Sequence, residues 1–498
     1  MVLPDPRQRP SRGPLVVAVV AGCVVWASGV FGAYGWFADE LYFLSCADRP
    51  ALGYVDHPPL ATLLLAVVRT VCHDHLALIR LVPTVVYAAA IVQVGRLARE
   101  LDGGAFAQTV AAAIFATAPA VLVIAGFYSM NPLELLLLIV LARLALALVG
   151  GAAPRTWVWF GAVTGVALLT KHSALLPAGL LAAATLASPA RAHLATRWPY
   201  LGIAAALAIA APNVIWLVAH DGVTFEFYRI SVPLKNIEQS PLEAIVGQAM
   251  FVGPMVFVVA LVGAISLARQ RALRGFAAMF AIALIVMMAS GISRADRILA
   301  VYPLMFAAGA CVIERLAFRR RAIVVVSLAI GALPPLPLVL PILPPELVIQ
   351  YSVALGVTPE LEVAKRGEMP QWLGDRRGWP ELASATAAAY RTLDDPSVVV
   401  FGASYGAAGA LELYGPAAGL PMPVISTHNE FWAWGPGSAT TVLAVGHDAA
   451  YWNDLYSDVR RAGTVHCTGC LVDGTAIWIA RGERPGLAAR WQALRRFE

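Results

Sequence analysis

Trp36-Phe-Ala-Asp39-Glu40-Leu-Tyr42, followed by Gly53-Tyr-Val-Asp56-His57-Pro58-Pro59-Leu60, is a polar interruption in a chain that is otherwise almost continuously apolar. Ahead of it lie Arg7, Arg9 and Arg12 and then an apolar run from about Pro14 to Tyr34. At 1.5 Å per residue such a run crosses about 30 Å of hydrocarbon. It is too long for the core of a signal peptide and reads as a first membrane span. Behind the interruption, apolar windows follow near 76–98, 105–126, 130–150, 156–170, 173–188, 199–219, 244–268, 275–291, 298–314 and 322–342. The expected fold is a polytopic α-helical membrane protein of about eleven spans. Composition agrees: of 498 residues 59% are hydrophobic and 13% charged, where a soluble domain carries about 25% charged residues. An ordinary soluble enzyme is excluded. A net charge of +5, spread along the chain, also argues against a nucleic-acid binder.

Arginines set the expected orientation, because cytoplasmic loops collect positive charge. With the N-terminus inside, Arg96 and Arg99, Arg155, Arg191 and Arg197, Arg269, Arg271 and Arg274, and Arg315 with Arg319 to Arg321 all fall on the cytoplasmic side. The opposite connections carry Asp39-Glu40, Asp56-His57, Lys171-His172, His220-Asp221 and Arg294-Ala-Asp296-Arg297. Ionisable groups beside hydrocarbon are costly unless they line a polar cavity, so their gathering at one interface marks a functional site.

The first external loop, about 35–75, is the longest of these. Neighbouring carboxylates repel, which tends to keep one protonated and suits a general base or a cation site. The competing reading makes Asp39 the start of a short interfacial helix continued through Glu40, Leu41 and Tyr42. Asp56 to Pro59 opens an amphipathic segment, Leu60 to Val71, with proline where a helix start tolerates it. Cys46 and Cys72 share this loop and are candidates to pair.

The 1–345 region therefore reads as a transmembrane catalytic domain, and 350–498, after a Pro-rich exit, as a soluble α/β domain outside the cytoplasm. Val398 to Phe401, Thr441 to Val445 and Ala476 to Ala480 read as strands, and Ala407 to Tyr414 as a helix. Gly402-Ala-Ser404-Tyr-Gly406 has the local pattern of a nucleophile elbow, with Asp454 and His466 downstream. A tight helix start explains the glycines as well, so an accessory role is preferred to hydrolysis. Cys467-Thr-Gly-Cys470 is expected to form a local structural disulfide.

Three motifs in order carry a resemblance: Asp39-Glu40 after the first span, the acidic-x-Pro-Pro-Leu element Asp56 to Leu60, and Leu168-Leu-Thr-Lys171-His-Ser. Together they resemble the C-type glycosyltransferase superfamily, in its family 39 and aminoarabinose-transferase-like branch, relatives of protein O-mannosyltransferases. The resemblance spans about residues 14–320. It implies a cell-membrane transferase that moves a sugar from a polyprenyl-phosphate donor to a lipid, glycan or protein hydroxyl on the outer face, with inversion. Asp39 then matches the catalytic aspartate, with Glu40 supporting it and Tyr42 close by. Lys171 matches the phosphate-binding lysine, and His57 stands where some relatives have lysine. Arg294 and Arg297 fall where relatives place donor contacts, and His172 accompanies Lys171. Some relatives hold a divalent cation through residues that map onto Asp56 and His220. The rival reading is a transporter or lipid flippase, which would favour inverted repeats and charge at mid-membrane.

Overall fold

A computed structural model describes residues 9–356, 369–393, 395, 397–438 and 440–498. Arg7 lies outside the described residues. The longer helices of the first part are α1 (Gly13–Phe31), α2 (Ala38–Ala47), α3 (Leu60–Cys72), α4 (Leu81–Glu100), α5 (Ala105–Thr117), α6 (Pro119–Ala125), α7 (Met130–Val149) and α8 (Thr156–Thr170). They continue as α9 (Leu175–Leu186), α10 (Trp198–Ala219), α11 (Val223–Lys235), α12 (Pro241–Val252), α13 (Pro254–Ala268), α14 (Arg274–Ala289), α15 (Tyr302–Glu314) and α16 (Phe318–Ala332).

Each apolar window of the sequence is helical. Five helices are long and apolar enough to cross a membrane, and up to eight when each bent pair counts as one span. Their outer faces leave large apolar side chains uncovered, such as Val20 at 59%, Leu207 at 63% and Ile215 at 67% exposure. A surface of this kind is stable against lipid and not against water. The window 244–268, read as one span, is instead two helices bent by 104°. The break falls at Gly253, which takes φ +99°, a region that disfavours side chains, and the next helix starts on Pro254. Likewise 105–126 bends by 67° where Pro119 follows Ala118.

Small residues set how closely the helices approach. A Cβ on Gly161 would overlap the backbone of Gly202 across α8 and α10, and one on Gly309 would overlap the Val259 carbonyl across α13 and α15. In lipid, where apolar surface alone does not drive helices together, such backbone contact is a main source of packing energy. At one end of the bundle the 101–104 turn receives Glu314, whose carboxylate accepts from the Gly104 and Ala107 N–H groups at 2.7 and 3.2 Å. The chemically capable loops gather at the other end.

That second end is covered by the C-terminal region. Its strands are β1 (Val398–Gly402), β2 (Val424–Ile425), β3 (Thr441–Val445), β4 (Tyr456–Thr464) and β5 (Ala476–Glu483), in sheet order β2-β1-β3-β5-β4. β1 pairs in parallel with β2 and β3, while β5 runs antiparallel to β3 and β4. Every residue of β1 and β3 is buried, as expected of central parallel strands. The helices α17 (Trp379–Tyr390), α18 (Tyr405–Ala418) and α19 (Ala449–Leu455) pack around the sheet. Leu41, Tyr42, Cys46 and Tyr54 of the first loop belong to the same hydrophobic core as Leu382, Ala408, Leu411 and Ile477. Loop and sheet therefore share one interior. Cys467 and Cys470 are joined as expected, but Cys46 and Cys72 are both free thiols. Cys46 is buried in the shared core, while Cys72 ends α3.

Candidate active site

The paired carboxylates start α2, and the helix separates their fates. Glu40 is 1% exposed: Oε2 accepts from Phe37 N–H at 2.9 Å and Oε1 from Tyr128 N–H at 2.8 Å. Arg80, itself 2% exposed, reaches the same oxygens at 3.1 and 2.6 Å and also donates to the Gly29 and Gly35 carbonyls. With both oxygens consumed in capping α2 and pairing Arg80, Glu40 is a structural anchor. Its expected support of Asp39 is then to hold the helix start that carries it. Asp39, one position earlier and only partly buried, turns the other way and accepts from the Tyr405 hydroxyl at 2.9 Å.

Asp56 comes to the same place from the turn before α3. Tyr42, one helical turn beyond Asp39 on α2, donates its hydroxyl to Asp56 Oδ1 at 2.7 Å. The Tyr42 oxygen in turn accepts from Glu430 N–H at 3.2 Å, and Glu430 Oε2 accepts from Val55 N–H at 2.7 Å. Burial, with the Asp56 charge nearby, pushes the Glu430 carboxyl up to about 8, although the Val55 N–H opposes the rise. The same burial, Asp56 and Glu430 hold the Tyr42 phenol well above its ordinary range.

His57, expected on donor phosphate, is packed among aromatic rings. It is 1% exposed, stacked at 4.7 Å on Phe43 and edge-on to Tyr54 at 4.7 Å, and neither ring nitrogen has a hydrogen-bond partner among the described residues. The proline pair after it drives the chain into α3 and leaves the imidazole in an aromatic box.

Lys171 ends α8. Its Nζ donates to Asn131 Oδ1 at 2.9 Å and pairs with Glu134 Oε2 at 3.2 Å, both from the first turns of α7. Arg294 forks onto Asp296 at 3.0 and 3.1 Å, and Arg297 reaches Asn236 at 3.3 Å. The charges of Arg294, Lys171 and Arg297 all act on the Asp296 carboxylate and, against its burial, hold it below its ordinary range. Tyr228 of α11 is acted on by the charges of Asp56, Glu134 and Arg297. His172 holds it in place, with Nδ1 at 3.3 Å from the Tyr228 hydroxyl and Nε2 at 2.8 Å from Asn213 Oδ1.

Both members of the expected metal pair have other partners, Asp56 accepting from the Tyr42 hydroxyl. His220 stacks on Trp216 at 4.0 Å and its Nδ1 faces the Trp216 carbonyl at 2.8 Å. Among the described residues there is no group of three or more His, Cys, Asp or Glu that could hold a metal ion. The elbow serine, Ser404, accepts from Ala407 N–H at 3.1 Å and caps α18, while Asp454 pairs with Arg490 and His466 is exposed. Ser404 is thus a helix cap.

Sequence reasoning missed Arg80, Tyr228, Tyr405 and Glu430. Arg80 had a signal, a lone cation inside an apolar window. The others had none, because two lie in the C-terminal domain and one on a connecting helix. Missed too was Arg376, 1% exposed, which packs over the Phe127 ring at 5.6 Å with its guanidinium nitrogens unpartnered among the described residues.

The family described as dolichyl-phosphate-mannose-protein mannosyltransferase matches residues 56–216, a segment holding Asp56, Lys171 and His172 but beginning after Asp39. Lipid A galacturonosyltransferase RgtD of Rhizobium johnstonii is 27% identical over 254 residues, which are 48% of this chain and 51% of RgtD. The chain thus spans about half the length of that curated relative. ArnT of Cupriavidus metallidurans, solved bound to undecaprenyl phosphate, superposes with a TM-score of 0.59 at 16% identity, covering 94% of this chain and 98% of ArnT. Its apo form gives 0.58. The chain has the fold of ArnT. The resemblance read from the three motifs holds for the fold and for the matched segment, and the protein is a multi-pass helical membrane protein.

Proposed function

We propose that this protein is a glycosyltransferase that moves a sugar from a polyprenyl-phosphate donor to an acceptor hydroxyl at the membrane surface. What supports the reading is that Asp39 and Asp56 are held by the hydroxyls of two tyrosines in ring contact, Tyr405 and Tyr42, while the charges of Lys171, Arg294 and Arg297 act on one carboxylate, Asp296, in a bundle with the ArnT fold. Displacement at an anomeric carbon needs both a carboxylate and cations. The base takes the acceptor proton on one face of the sugar, and cations stabilise the charge that grows on the leaving phosphate on the other, which gives inversion. Asp39 is the base of this scheme, and Lys171 with the two arginines holds phosphate. Glu134 and Asn131 keep the Lys171 ammonium in place without a donor bound. A transporter would need its charges deeper in the bundle.

In the same reading the chain crosses the membrane about eleven times, with residues 1–345 as the transmembrane domain, the N-terminus in the cytoplasm and the 350–498 domain outside. The name of RgtD points to a lipid acceptor among the three classes considered. The test is label transfer from a panel of radiolabelled undecaprenyl-phosphate sugars to membrane acceptors. Asp39→Asn is expected to lower transfer by about 10²- to 10⁴-fold, and Lys171→Ala by about 10²-fold or more. Full transfer by Asp39→Asn at matched expression would sink the assignment.

A further inference from the structure

In open α/β sheets, ligand-handling groups sit beyond the carboxyl ends of the parallel strands. Here that edge does not face solvent. The turns after β1 and β2 press against the first loop, and each delivers one polar group to one of its aspartates. After β1, Ser404 caps α18 and fixes Tyr405 as its first residue. The Tyr405 N–H donates to His428 Nδ1 at 3.2 Å, and its ring lies 4.8 Å from His428 and 5.0 Å from Tyr42. With the ring in contact with both neighbours, the Tyr405 hydroxyl donates to Asp39 Oδ1 at 2.9 Å. After β2, Glu430 fixes Val55 and Tyr42, and through Tyr42 it reaches Asp56.

We infer that the C-terminal domain is a working part of the transfer site, and that Tyr405 is the positioning residue that orients Asp39 toward the acceptor hydroxyl. This rests on the reading of Asp39 as the base. A carboxylate in the first turn of a helix otherwise has several rotamers open to it, and a base out of line by a fraction of an ångström loses much of its effect. A hydrogen bond to a charged group fixes one rotamer and also makes the carboxylate bind its proton less tightly. The two consequences are separable by experiment.

Tyr405→Phe keeps the ring and removes only the hydroxyl. In the full-length protein, with the undecaprenyl-phosphate sugar panel as probe, it is expected to lower kcat by about ten- to a hundredfold. KM for the donor should change by less than about twofold, and the acid limb of the pH–rate profile should move to higher pH. The melting temperature of the purified protein should stay near that of the wild type, which separates orientation from unfolding. Wild-type kcat and an unmoved pH profile in Tyr405→Phe, with Asp39→Asn inactive, would remove Tyr405 from the site and leave the transfer reading standing. Full activity in Asp39→Asn would overturn both.

Discussion

Replacing Arg80 with Leu tests whether Glu40 anchors the site or works in it. Arg80 and Glu40 are 2% and 1% exposed and joined through two contacts. Removing one partner of a buried pair costs about 3–5 kcal/mol, because a charge is left in a low dielectric without compensation. The Phe37 and Tyr128 N–H groups still serve Glu40, which argues for the low end of that range. Two carbonyls, Gly29 and Gly35, lose their donor, and each adds about 1 kcal/mol. The sum is roughly 5 kcal/mol, enough to lower the melting temperature of detergent-solubilised protein by several degrees. Glu40→Gln should cost a similar amount, and the double variant less than the sum of the two, since the charges are then removed together. Transfer per folded molecule should survive in Glu40→Gln. Two results would refute the reasoning: Arg80→Leu melting within about one degree of wild type, or Glu40→Gln folding normally while its turnover collapses.

Glu430 supplies a pH dependence. Its carboxyl titrates near 8 in the folded protein against an ordinary value of 4.5. A raised folded value means that the unfolded chain ionises first, so the stabilisation is complete below 4.5 and is lost as pH climbs toward 8. Melting temperature should fall across that window, and Glu430→Gln should fall less steeply; identical slopes would count against the assignment. For helix packing, Gly309→Ala gains about 1 kcal/mol of helix propensity but sets a Cβ against the Val259 carbonyl and 2.5 Å from its Cγ1. Overpacking of this sort costs about 1–3 kcal/mol, so net destabilisation is expected. Gly247→Ala, with nothing within 4 Å of its added Cβ, is the control and should melt level with or above wild type.

The fold was legible in the sequence because lipid imposes a long apolar run on every span, and arginine placement separates the two ends of the bundle. The strand-turn-helix of 398–418 was legible for a similar local reason: an apolar run, a glycine-rich turn and then helix formers. Asp39, Asp56, Lys171, Arg294 and Arg297 could be singled out as polar groups beside hydrocarbon. Their roles could not be told apart by that signal. Asp39 and Glu40 are adjacent and chemically alike, yet a helix sends consecutive side chains about 100° apart, so one meets Arg80 and the other Tyr405. His57 looked like a phosphate contact beside Asp56 and is instead boxed by Phe43 and Tyr54. The break at Gly253, the separation of Cys46 from Cys72, and the delivery of Tyr405 and Glu430 across more than 360 residues of chain were decided by the tertiary structure alone. Local pattern records which face of a helix is apolar; it holds no record of which distant segment will cover the polar one.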